Sequence, residues 1–115
     1  GYSKFGSYAG NGNANGPFAY TGFKPAFVII KVSEGGTGDW QMYDNKRVGY
    51  NAANYRLKPS SDAAEATDEP IDILSNGFKL RTTGGSFNAS GDDYIYMAFA
   101  ESPFVGSNFV PNNAR

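Results

Sequence analysis

The stretch Ile71-Asp72-Ile73-Leu74-Ser75-Asn76-Gly77-Phe78-Lys79-Leu80-Arg81 decides the fold class. Two short runs of alternating apolar and polar residues flank Asn-Gly, the dipeptide that favours a two-residue type I′ hairpin turn. Such a turn at Asn76-Gly77 sets Ser75 opposite Phe78, Ile73 opposite Leu80 and Asp72 opposite Arg81, with Gly77 at positive φ. Ile73 and Leu80 then face a core. Asp72 and Arg81 form a cross-strand ion pair on the other face, worth ~0.2–1 kcal/mol.

Outward from this hairpin, Pro25-Ala26-Phe27-Val28-Ile29-Ile30-Lys31-Val32 is short, β-branched and led by proline, which predicts a strand buried on both faces. Phe27 and Ile29 point one way and Val28, Ile30 and Val32 the other, with Lys31 marking where the first face meets solvent. After the glycine-rich Ser33–Gly38, Trp40-Gln41-Met42-Tyr43 returns as an antiparallel partner. Tyr94–Ala100 forms a further strand, with Ile95, Met97 and Phe99 on one face and Tyr94, Tyr96, Ala98 and Ala100 on the other. Tyr2–Tyr8 and Phe18–Thr21 read as shorter strands around a turn region, Gly10–Gly16. Asn51–Pro70 reads as a polar loop holding at most one helical turn at Ala63–Ala66. The expectation is seven or eight strands in one all-β domain over residues 1–115, an antiparallel β-sandwich that is jelly-roll-like.

Composition agrees. Of 115 residues, 15 are Gly and 6 Pro, aromatics reach 16% and charged residues only 18%, which suits strands and turns better than long solvated helices. At this length the core margin is modest, so a partner chain would add useful burial. Ten basic against eleven acidic residues, a net charge of −1, argue against nucleic acid as a partner. Without cysteine there are no disulfides or thiolate metal sites. Without histidine there are no Ser-His-Asp triads, Cys-His dyads or HExxH zinc sites. No apolar run approaches the ~20 residues of a membrane helix, so membrane insertion is not expected. The start at Gly1, with neither initiator Met nor signal peptide, reads as a processed product or excised fragment.

Candidate chemistry is sparse. Asp62, Glu65, Asp68, Glu69 and Asp72, with Asp92 and Asp93, do not follow calcium-loop spacing and read as solvated loop charges and turn caps. Gly84-Gly85 and Gly35-Gly36-Thr37-Gly38 lack the GxxxxGK[ST] signature, and no helix is expected after either, so no phosphate site follows. Asn88-Ala89-Ser90 fits the glycosylation acceptor pattern. These residues point to no catalytic group, cofactor or metal. Trp40, Tyr43, Tyr50 and Tyr55 are the aromatic candidates for glycan or partner contact, with Arg47 beside them in the turn Asp44-Asn45-Lys46-Arg47. The preferred reading of the aromatics is plain packing, Trp40 in the core and the tyrosines at its rim.

The segments Gly10-Asn11-Gly12 with Gly16–Lys31, Tyr43–Arg47, Leu74–Arg81 and Tyr94-Ile95-Tyr96-Met97-Ala98-Phe99-Ala100-Glu101 with the following Ser102-Pro103-Phe104-Val105-Gly106-Ser107 together resemble a domain found near the C-terminus of tailed-bacteriophage virion proteins, often labelled tail-fibre or structural proteins. The resemblance implies a virion location, at its outer surface or tail, and carries no catalytic motif. It implies a non-enzymatic structural domain of a tail fibre or receptor-binding appendage. Its expected partners are other virion proteins, further copies of itself (a trimer is favoured) and host-surface glycan. A capsid decoration, or cement, protein is the main alternative. A small glycan depolymerase is a third, and would need two carboxylates flanking a substrate cleft.

Overall fold

The computed structural model describes residues 2–47, 50–53 and 55–101. They form two antiparallel sheets packed face to face, an all-β sandwich. One sheet has four strands in the order β1-β7-β3-β4 and the other three in the order β2-β6-β5. The strands are β1 (Ser3–Ala9), β2 (Phe18–Tyr20), β3 (Pro25–Glu34), β4 (Gln41–Asp44), β5 (Ile71–Leu74), β6 (Gly77–Leu80) and β7 (Asp93–Ala100). A single helical turn, α1 (Gly85–Asn88), precedes β7.

The core follows from strand periodicity. Val28, Ile30 and Val32 of β3, Tyr43 of β4, and Tyr94, Tyr96 and Ala98 of β7 point inward. They meet Ile71, Ile73, Phe78 and Leu80 from the smaller sheet. Phe78 sits between the sheets, edge-on to Tyr96 at 5.1 Å and to Tyr8 at 6.3 Å. Such pairs add ~0.5–1.5 kcal/mol beyond area burial. The expected division of β3 into two faces holds, but only one face is sealed: Phe27, Ile29 and Lys31 are half-buried.

The hairpin forms one residue earlier than the Asn-Gly rule predicts. Ile73 lies opposite Phe78, Ile71 opposite Leu80 and Asp72 opposite Lys79, with Ser75-Asn76 as the turn. Gly77 is a strand residue and is absent from the positive-φ glycines. The reason is its second neighbour. Gly77 pairs with Tyr20 of β2, where a Cβ would lie 2.1 Å from the Ala19 carbonyl oxygen. Glycine is required here for close strand approach. A one-residue move of the turn leaves every side chain on its predicted face, so Ile73 and Leu80 remain in the core. Asp72 still reaches Arg81, diagonally, at 3.7 Å.

The polar segment after Asn51 is fastened to both sheets and holds no helical turn at Ala63–Ala66. Ala53 bridges Ile71 on the edge of the smaller sheet and Leu57 bridges Met42 on the edge of the larger one, while Ala66 bridges Arg56. The Asn51 side chain donates to Ile73 O and accepts from Ile73 N–H, copying a strand partner for β5. Arg56 is buried behind this strap. It donates to Gln41 Oε1 at 2.9 Å, pairs with Asp68 at 2.8 Å and Glu69 at 3.3 Å, and lies 5.7 Å from the Phe87 ring centroid. Burial raises the Glu69 carboxyl above its ordinary value despite Arg56, whereas the Arg56 hydrogen bond holds exposed Asp68 below its own.

The helical turn α1 is the one element without a sequence signal. Its Gly-Ser-Phe-Asn has poor intrinsic propensity. Tertiary partners supply the order: Tyr8 and Tyr94 donate their phenol hydrogens to Phe87 O and Gly85 O, and Phe87 is fully buried beside Tyr43. A helix therefore does follow Gly84-Gly85, although at four residues it offers no anion site. The Glu69 carboxylate lies against Gly84. Asn88, within the glycosylation pattern, is completely buried. It accepts from Asn11 N–H, and its amide donates to Asn11 Oδ1, Asn13 O and Thr82 O. That set of bonds fixes the Gly10–Gly16 turns and leaves no amide to modify.

Candidate functional site

The aromatic candidates separate in space. Tyr43 is inside the sandwich, its hydroxyl donating to Glu69 O at 2.5 Å, and burial pushes its phenol up; it has no ring face to offer a ligand. Trp40 is half-buried on the outer side of the larger sheet, outside the core it was expected to fill. Tyr55 is exposed on the strap, and Tyr50, 76% exposed, stands at the mouth of a pocket. Arg47 supports the neighbouring turn. Its Nε donates to Asp44 Oδ2 at 2.6 Å and its Nη1 to Glu65.

That turn is well determined. Asp44 ends β4 and accepts from the backbone N–H groups of Lys46 and Arg47, both at 2.9 Å. Burial acts to raise the Asp44 carboxyl, but the Arg47 and Lys46 backbone donors and the Arg47 guanidinium outweigh it and hold it below its ordinary value. Against the opposing effect of burial, the side-chain bonds of Arg47 to Asp44 and Glu65 raise its guanidinium. The Asp44-to-Arg47 turn is as expected from the sequence, and an internal ion pair closes it.

Beside it is a pocket of about 260 Å³ lined by Lys24, Asn45, Lys46, Tyr50, Asn51 and Glu101, with Asp44, Ala53 and Ile73 completing the wall and floor. Glu101 is bracketed by Lys24 at 3.3 Å, Lys46 at 3.9 Å and the Asn45 amide at 3.0 Å. Asn45 Oδ1 is buried without a donor. Sequence reasoning reached Tyr50 and the Asp44-to-Arg47 turn here and passed over Lys24, Asn51 and Glu101. These come from three separate segments: the register of β3 against β7 joins Lys24 to Glu101, and the bonds of Asn51 to Ile73 bring in the third.

The second surface is the outer face of the four-stranded sheet. Its register places Phe5, Met97, Ile29 and Met42 in one row across the strands. Ring contacts of 6.1–6.4 Å join Tyr2, Phe5 and Phe27 to Phe99. Phe5 is 63% and Ile95 41% exposed. Trp40, Ile29 and Met97 line an open apolar hollow with Pro59 and Ser60. The charged residues at outward positions of these strands are Lys31, Asp44 and, at the far end, Asp93 with Glu34 opposite it. The smaller sheet shows the usual mixture on its outside, with Asp72 and Lys79 beside Phe18 and Tyr20.

No group of three or more carboxylates among the described residues is arranged to hold a metal ion. Residues 1–103 match the family model of DUF7483, a domain of unknown function. The chain is a member of the DUF7483 family. No curated protein and no solved structure matches it. The DUF7483 match runs from β1 through β7, so it takes in the whole sandwich, the pocket and the apolar sheet face. The part of the virion-like segment from Ser102 onward lies outside the described residues.

Proposed function

We propose that this DUF7483 domain is a non-enzymatic structural module of a tailed-bacteriophage virion, a part of a tail fibre or receptor-binding appendage that touches host-surface glycan. The resemblance of its strand segments to virion proteins supports the setting. The observation that carries the reading is the apolar outer face of the four-stranded sheet. An antiparallel sheet of a lone domain ordinarily turns a polar face to water. This one turns out Phe5, Phe27, Ile29, Met42, Ile95, Met97 and Phe99, and contiguous apolar surface of that kind marks assembly. Copies of the same chain are the proposed occupants, in a closed ring of three. Such closure buries the face and the nearby β1 edge together.

Light scattering across a concentration series tests this. A trimer that dissociates in Phe5→Lys and Ile95→Lys, with the fold intact by circular dichroism, is the expected result. A monomer at every concentration would overturn it. The one-sidedness of the apolar face also favours a second reading, a decoration module lying on a capsid shell. Saturable binding to purified phage shells by a monomeric chain would establish that reading in place of the first.

A further inference from the structure

We infer that the pocket beside Tyr50 is a binding site for one neutral pyranose unit. Its lining carries no net charge: Lys24 and Lys46 stand against Glu101 and Asp44. A ligand with net charge finds no surplus of opposite charge there. The unspent capacity is of another kind. Each lysine ammonium carries three N–H donors and meets a single carboxylate. Tyr50 presents an open ring, and among the described residues nothing bonds its hydroxyl.

The floor is apolar, made by Ala53 and Ile73. A group that fits must therefore be uncharged, ringed with hydroxyls that both donate and accept, and apolar on one face to lie against an aromatic ring. A pyranose has that chemistry. The volume agrees with a single unit: about 260 Å³ is below the ~300–1,000 Å³ of drug-sized sites. It equals about eight to nine waters at ~30 Å³ each. The strap holds the site in shape, because Asn51 is bonded to both backbone groups of Ile73. The inference rests on the appendage reading for the source of the sugar, a host-surface glycan.

The test is a titration of the ¹⁵N-labelled chain with methyl glycosides of glucose, galactose and mannose, with N-acetylglucosamine, and with galacturonate as the charged probe. Millimolar binding of at least one neutral glycoside is expected, with shifts confined to Lys24, Asn45, Lys46, Tyr50, Asn51 and Glu101. Tyr50→Ala should weaken it about tenfold, while Tyr55→Ala, an exposed tyrosine outside the pocket, should leave it unchanged. Tyr50 is so exposed that its truncation does not threaten the fold. No shifts with any neutral glycoside, binding undiminished in Tyr50→Ala, or tighter binding of galacturonate would each overturn the assignment. A trimer that binds no sugar would refute the pocket and leave the assembly reading standing. A monomer that binds sugar at these residues would do the reverse.

Discussion

Asn88 offers the sharpest test of how this sandwich holds its ends together. Asn88→Ala deletes four hydrogen bonds and leaves their partners behind. The Thr82 carbonyl is buried at that contact, and stranding it costs ~1–3 kcal/mol. The Asn11 N–H, Asn11 Oδ1 and Asn13 O lie nearer the surface and lose ~0.5–1 kcal/mol each. The sum is about 2.5–6 kcal/mol, a large part of the ~5–15 kcal/mol that stabilises a domain. At about 4 °C per kcal/mol for this size, Tm should fall by ~10–24 °C.

Asn88→Asp keeps the shape but leaves, at the cost of binding a proton, a single O–H donor to face three oxygens, and should be worse than alanine near neutral pH. The new carboxyl stays protonated in the folded state while its unfolded counterpart ionises near ~3.9. The folded state then binds the extra proton, so stability falls with rising pH by up to ~1.4 kcal/mol per unit above that value. Urea unfolding at pH 4 through 7, followed by circular dichroism, reads both effects. A loss below ~1 kcal/mol in Asn88→Ala, or an Asn88→Asp deficit constant across that pH range, would refute the reasoning.

Gly77→Ala should cost more than ~2 kcal/mol in urea unfolding, because the added methyl meets the Ala19 carbonyl of β2 and a backbone must shift; unchanged stability would remove the close-approach explanation. Asp44 has a depressed carboxyl, so its contribution is present above the unfolded value of ~3.9 and is lost as pH falls through and below it. Asp44→Asn should therefore cost ~1 kcal/mol at pH 7 and flatten the decline of the urea midpoint between about pH 4 and pH 2; an unaltered slope would show that the turn does not couple to acid unfolding.

Much of the fold was legible because it depends on local alternation. The inward set Val28, Ile30, Val32 and the split of β7 into two faces follow from period two and need no partner. The hairpin register was missed by one residue because the Asn-Gly rule considers two strands, and β2 arrives as a third and claims Gly77. α1 was illegible because its order comes from Tyr8 and Tyr94, which are far away in sequence. Gly10–Gly16 reads correctly as a turn region, and Asn88-Ala89-Ser90 looks like a modification signal, but nothing along the chain shows that each is the other's hydrogen-bond partner. The site was half legible: an exposed Tyr50 beside an Asp-to-Arg turn can be read along the chain. Lys24 and Glu101 join it only through pairing across the sheet, and Tyr43 leaves the candidate set because it occupies an inward position of β4.

The adjacency of β1 and β7 has a mechanical consequence. Ser3 stands opposite Phe99, so the two ends of the described chain leave side by side from one end of the sheet. Tension applied through them pulls the strands apart crosswise, breaking the β1–β7 bonds one at a time from Ser3 toward Ala9, with no row of bonds sheared in parallel. Between two anchored neighbours the domain would therefore yield at low force by peeling, lengthening the chain while β3, β4 and the smaller sheet stay folded. Single-molecule pulling from residues 2 and 101 should show that early, shallow step.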